Sequence, residues 1–193
     1  MLAFEAGLAR ILAKTLEPEF ESISLNKALG RVTAAQQIAA IDVPSVDNSA
    51  MDGYAVRCAD LARGNTFTVS QRIAAGDSAF ALEPGSVARI FTGAMIPAGA
   101  DAVILQEDSQ TLVESNQVTF TERPSLGQHI RLVGQDIRCQ SEVVAKGNRL
   151  SAGDIGLLAS VGVSKLQCYR PLTVAFFSTG DELKDPEQSL KPG

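Results

Sequence analysis

Segments with helical periodicity bracket a long block of short β-type runs. At the front, Phe4, Leu8, Ile11 and Leu12 fall at i, i+4, i+7 and i+8, one face of a helix that ends before Pro18. A second short helix is expected between the N-cap candidate Ser24 and Gly30. From about Ile41 the texture changes. Runs of β type cover 66–70, 87–91, 101–105, 111–114 and 118–121, with Glu83-Pro-Gly85 and Ile96-Pro97 between them. Ser115-Asn116 suits a hairpin turn, because Asn tolerates positive φ. After Asp136, residues 142–145 and 148–150 flank Lys146-Gly147, another hairpin candidate. Ser151 to Asp154 then has the form of a capping box, ahead of a helix carrying Ile155, Leu158 and Ala159 and closed by Gly162.

This order predicts an α+β fold, mostly β. Residues 1–40 and 137–170 would form a discontinuous helix/β domain, with a β-rich domain inserted at 41–136. Residues 171–193 read differently. Leu172 to Phe177 is a nearly continuous apolar run after Pro171, the pattern of a parallel strand covered on both faces. It is expected to be the first strand of an α/β domain that the chain does not complete. The other reading makes it an edge strand of the existing sheet.

Charge narrows the partners. Seventeen basic against 22 acidic residues give a net charge of −5, and no Lys/Arg cluster interrupts that balance. Nucleic acid is therefore not expected. No apolar run approaches the roughly 20 residues that cross a bilayer, so no membrane association is expected. The start of the chain lacks the basic region of a signal peptide. Cys58, Cys139 and Cys168 are odd in number and widely spaced, which argues against a disulfide framework and for a reducing, cytoplasmic setting. A single histidine, His129, leaves no basis for His-based zinc chemistry.

Four stretches carry candidate chemistry. Pro44 to Val56 mixes Asp47, Asn48, Ser49 and Asp52 with apolar Met51 and Tyr54 and a Gly53 hinge, the make-up of a ligand pocket. Plain turns at Asn48 and Asp52-Gly53 are the alternative. Arg89 to Ala94 delivers Thr92 to a strand end, where Gly93 permits close backbone approach to an oxyanion; a simple turn is the competing reading. Arg131 offers a planar fork for phosphate or carboxylate, and Asp136, past the Gly134 bend, could equally be its ion-pair partner. Finally, Ser178-Thr179-Gly180 is followed by Asp181 and Glu182, oxygen ligands of the kind Mg²⁺ accepts, unless they only start a helix. The sum points to an anionic, phosphate-bearing ligand held with a hard cation.

Taken in order, residues 44–56, 90–103 with Glu107, 131–137 and 179–183 resemble the molybdopterin molybdenumtransferases, the MoeA and gephyrin E-domain family. The resemblance covers essentially the whole chain, as an N-terminal portion. It implies molybdenum cofactor biosynthesis: molybdenum from molybdate is inserted into adenylylated molybdopterin and AMP leaves, with Mg²⁺ assisting. By motif position it implies catalytic roles for Asp52, Asp136 and Glu182. It implies ligand contacts from Ser49, Met51, Thr92, Gly93, Arg131 and Thr179, and metal contacts from Asp181 and Glu182. It further implies a homodimer that receives its substrate from a molybdopterin adenylyltransferase, and an isolated chain that is inactive. Gln135 stands where the family usually carries an acid. A non-catalytic scaffold module of the gephyrin type is the alternative, and a Mg²⁺-dependent phosphohydrolase is suggested by the acids alone.

Overall fold

The computed structural model describes residues 3–15, 18–180, 182–190 and 192. Helix α1 (Phe4–Leu12) opens the chain and buries none of its residues. Strand β1 (Phe20–Ser24) follows, and residues 25–27 form one 3₁₀ turn in place of the expected second helix. The apolar side chains Ile23 and Leu25 reach the core from this strand and turn, so no longer helical stripe is required.

Short strands β2 (Gln37–Ile38) and β3 (Asn48–Ser49) then lead to β4 (Gly53–Val56). β5 (Thr66–Ile73), β6 (Ser86–Ile90), β7 (Ala102–Leu105), β8 (Ser109–Leu112) and β9 (Gln117–Phe120) complete the β block. β10 (Ile130–Arg131) and β11 (Glu142–Val144) return from it to helix α2 (Ala152–Ser160) and strand β12 (Lys165–Tyr169).

Six strands form one sheet in the order β7-β4-β6-β5-β9-β8. β5 and β6 run parallel, and the other neighbours are antiparallel. Alternation along each strand gives the sheet two apolar faces. Tyr54, Val56, Val87, Ile104 and Phe120 pack on one; Ala55, Ile73, Ala88, Ile90 and Val103 pack on the other. Asn116 turns the β8–β9 hairpin at φ 50°.

Gly53 is no hinge. It is the first residue of β4 and is buried. A Cβ there would lie 1.9 Å from the Ile104 carbonyl oxygen, so only glycine allows β7 to approach this closely.

An irregular antiparallel ribbon joins this sheet to the rest. β2 pairs with β11, Val43 bridges Ile137, and β3 pairs with β10, nearly in register throughout. At its far end β1 and β12 pair antiparallel, and Ala28, Val144, Leu150, Leu158, Leu166 and Cys168 form a third apolar cluster. The expected hairpin around Lys146-Gly147 is only a turn. Its flanks pair elsewhere, β11 with β2 and Arg149 with Val32, and Thr33 holds the turn by donating to the Ala145 carbonyl. The α2 capping box is present: the Ser151 hydroxyl accepts from Asp154 N–H while the Asp154 carboxylate accepts from Ser151 N–H.

Residues 172–177 carry no strand, contrary to the expectation of a first parallel strand. Leu172, Val174, Phe176 and Phe177 are all exposed. A strand is held by neighbours, and the described residues supply none there.

Candidate functional site

The chemistry gathers where β4 begins and β6 ends. Asp52 immediately precedes β4, and Thr92 follows β6 by two residues. Thr92 directs both of its donors at one carboxylate oxygen: its N–H lies 2.8 Å and its hydroxyl 2.7 Å from Asp52 Oδ1. The Thr92 backbone and then its hydroxyl hold the Asp52 carboxyl below the usual carboxylate range, with a smaller push from the charge of Arg89. Asp52 therefore stays ionised near neutral pH. Its Oδ2 has no hydrogen-bond partner among the described residues.

The backbone of Asp52 is pinned as well. Its carbonyl accepts from Gln106 N–H at 3.1 Å. The Gln106 side chain accepts from Arg89 at 2.6 Å, and Arg89 also donates to the Gly53 carbonyl at 2.8 Å. Carboxylate, strand start and strand end thus form one rigid unit. Arg89 and Gln106 were missed as site residues. The period of two in β6 places Arg89 on the same face as Tyr54, but β4 had to be recognised before that could be used.

Ser49 supplies the frame of this corner. Its backbone accepts from Gly93 N–H and donates to the Ala94 carbonyl, and it pairs across the ribbon with Ile130. Its side chain is 1% exposed, and its hydroxyl donates to the Met51 carbonyl at 2.6 Å. The hydroxyl is consumed by the turn. Met51 is exposed beside it, and Gly93 is exposed with φ +81°.

Arg131 and Asp136 form an ion pair with each other across the Gly134 bend. Both are about half exposed, so the pair contributes roughly 0–1 kcal/mol. The bend is fastened to the ribbon: Val133 N–H donates to Asp47 Oδ1 at 2.7 Å, and Asp136 N–H donates to the Val43 carbonyl. Arg131 faces Asn48 in the register, one residue from Ser49. Asn48 Oδ1 is buried without a protein partner among the described residues.

Thr179 and Glu182 are exposed in the C-terminal segment, and no hydrogen bond or ion pair among the described residues joins them to the sheet. Asp181, the other expected metal ligand, lies outside the described residues. Among the described residues no three His, Cys, Asp or Glu side chains converge as a metal site. Asp52, whose Oδ2 has no hydrogen-bond partner among the described residues, is a carboxylate of the kind that takes Mg²⁺ together with phosphates and waters. Two surface cavities lie apart from this corner. One, of about 350 Å³, is lined by Pro18, Arg31, Tyr169 and Leu172; the other, of about 390 Å³, by Thr111 to Ser115. Neither gathers comparable chemistry: Arg31 in the first is paired with Glu21 at 2.6 Å.

The Asp52–Thr92 pair thus stands at the end of a six-stranded sheet carried by an antiparallel ribbon. Comparison with known proteins names the chain's family. Residues 2–162 match the family described as MoeA N-terminal region (domain I and II), and the chain belongs to that family. It is 42% identical over its whole length to a molybdopterin molybdenumtransferase of Haemophilus influenzae, of which it covers 48%. It is 38% identical over 92% of its length to the enzyme of that name from a Nostoc species, covering 42% of it. A solved molybdopterin biosynthesis MoeA protein from Pyrococcus horikosii superposes with a TM-score of 0.88 at 34% identity, covering 99% of this chain and 50% of that one. The chain spans about half the length of the relatives it matches.

Proposed function

We propose that this chain is the N-terminal half of a molybdenum-insertion enzyme of molybdenum cofactor biosynthesis. The whole protein would take molybdate and adenylylated molybdopterin, transfer molybdenum to the pterin, and release AMP. The observation that carries the reading is the Asp52–Thr92 unit at the sheet end, in a chain whose relatives are named molybdopterin molybdenumtransferase.

Breaking a phosphoanhydride needs charge neutralised on the phosphate oxygens and an oriented attacking group. Thr92 keeps Asp52 ionised and fixes one oxygen, which leaves Oδ2 to meet the ligand side. Asp52 would hold a Mg²⁺ carried by the substrate phosphates, and that ion would neutralise charge on them when bound. Asp136 would keep Arg131 oriented at the ribbon edge, ready to exchange its partner for an anionic group. Met51 and Gly93 line the same exposed corner and would contact the ligand, whereas Ser49 would act through the turn it builds. Thr179 and Glu182, with Asp181, would join the site from the C-terminal segment.

The reading includes a cytoplasmic homodimer supplied by a molybdopterin adenylyltransferase, and an isolated chain without turnover. Among the described residues no helix is long and apolar enough to cross a membrane. The test is single-turnover AMP release by the whole protein carrying Asp52→Ala. The expected rate falls by about 10²–10³-fold, the usual loss for an electrostatic group at a reacting centre. A wild-type rate from that variant would remove the assignment.

A further inference from the structure

Three side chains form a row across the sheet beside the Asp52–Thr92 corner. Tyr54 of β4 faces Arg89 of β6, and Arg89 faces Arg72 of β5. Phe91, two residues beyond Arg89, is within cation–π reach of both arginines. The Arg72 guanidinium carbon is 4.4 Å from the centre of the Phe91 ring, and that of Arg89 is 4.6 Å from it. Arg89 also lies 5.1 Å over Tyr54.

A bulge creates this row. In β5, Val69 faces Val87 and Gln71 faces Ala88, so Ser70 is an extra residue. Without it, Gln71 would face Arg89, and Arg72 would point with Ile90 into the opposite apolar face. With it, Ile73 enters that face at 1% exposure and Arg72 joins Arg89. Bulges re-aim side chains in this way and are frequent beside active sites.

Like charges directly opposite on neighbouring strands are unfavourable. Cation–π stacking on Phe91 offsets part of that cost. No carboxylate lies within 4.0 Å of either guanidinium among the described residues, and the Arg72 side chain makes no hydrogen bond there. Arg89 is held by two neutral acceptors, the Gly53 carbonyl and Gln106. Two unpaired, aligned cations in a chain of net charge −5 are a local feature rather than part of a general basic surface.

We infer that Arg72 and Arg89, facing each other across the sheet and both contacting Phe91, form a subsite for a tetrahedral oxyanion adjoining Asp52 and Thr92. A planar guanidinium suits two oxygens of such a group, and stacking fixes its plane in advance. The identity of the physiological anion rests on the proposed function, in which either the substrate diphosphate or molybdate has this chemistry. The subsite itself is tested without turnover.

The 193-residue chain is titrated with sodium pyrophosphate and, separately, with sodium molybdate at constant ionic strength, by calorimetry and by NMR of the arginine Nε–H signals. Millimolar or tighter binding that moves the Arg72 and Arg89 signals is expected. Arg72→Gln should weaken binding about tenfold, and Arg72→Lys by less, as for loss of one charge-assisted contact. Weakening for pyrophosphate alone assigns the diphosphate, weakening for molybdate alone assigns molybdate, and weakening of both assigns a shared oxyanion subsite; each supports the inference. Arg72 is exposed, so its variants should keep the wild-type amide spectrum, and Arg89→Lys provides a second probe. Absence of binding by both anions at millimolar concentration overturns the inference, as does affinity in Arg72→Gln within twofold of wild type. Normal AMP release by Asp52→Ala would sink the proposed function yet leave this result standing.

Discussion

Gly53→Ala places a methyl group where the Ile104 carbonyl already stands. The new carbon would sit 1.9 Å from that oxygen, 2.9 Å from its carbon and 3.2 Å from Leu105 Cα. Carbon–oxygen contacts in sheets settle at about 3.3–3.6 Å, so β4 and β7 must separate locally by about 1.4 Å. A backbone hydrogen bond stretched by that amount is lost. Overpacking of this kind costs about 1–3 kcal/mol, and an unpaired buried backbone group costs a further ~1–3 kcal/mol. The expected loss is therefore ~2–6 kcal/mol, a large share of the ~5–15 kcal/mol that holds a domain together. At about 2–4 °C per kcal/mol, the melting temperature falls by roughly 4–24 °C. The assay is thermal unfolding followed by circular dichroism, with amide exchange at Tyr54 and Ile104 as the local readout. Gly64→Ala is the control: its backbone is extended and nothing lies within 4 Å of the added carbon, so a change within about 0.5 kcal/mol is expected. Stability of Gly53→Ala within 1 kcal/mol of wild type, with unchanged exchange, would refute the packing argument.

Other consequences follow from the same geometry. Gly156→Ala in α2 meets no neighbour within 4 Å and should stabilise the chain by about 0.5–1 kcal/mol, seen as a rise of roughly 1–4 °C in melting temperature. Asp52 has a lowered folded-state pKa, so its contribution is present above the ordinary carboxylate value and is lost as pH falls through the folded value. Thr92→Val removes one of the two donors and should raise the Asp52 titration midpoint, read by carboxyl-carbon NMR; an unmoved midpoint contradicts the assignment. Burial, followed by Asp101, pushes the Cys58 thiol up to about 11, and Cys168 is buried, whereas Cys139 is exposed. An alkylating reagent at mildly basic pH should therefore label Cys139 fast and the other two only on unfolding, as counted by mass spectrometry.

Much of the β block could be read from residue order. The runs at 66–70, 87–91, 101–105 and 118–121 fall on strands to within a residue at their ends, because β-type runs between turn signals encode a pleated surface, whereas 111–114 covers only the end of β8 and runs into a 3₁₀ turn at 113–115. β4 escaped notice for a physical reason. Four residues buried on both faces show no alternation, and its polar prelude, Asp47 to Asp52, reads as loop. The bulge at Ser70 was equally hidden, since a single extra residue is visible only against its partner strand. Thr92 at a strand end was readable; its use of both donors on Asp52 depends on the β4–β6 pairing, a contact between residues 40 apart in sequence. The run 172–177 shows the converse: apolar character alone does not make a strand where no partner stands beside it.

The central claim is that Asp52 and Thr92 work as one group. A double-mutant cycle on AMP release by the whole protein tests it, with Asp52→Ala, Thr92→Val and both together. If Thr92 acts through Asp52, the double variant is no slower than Asp52→Ala alone, because the second change removes nothing that remains. Two losses that multiply, or a wild-type rate in Asp52→Ala, would contradict the account.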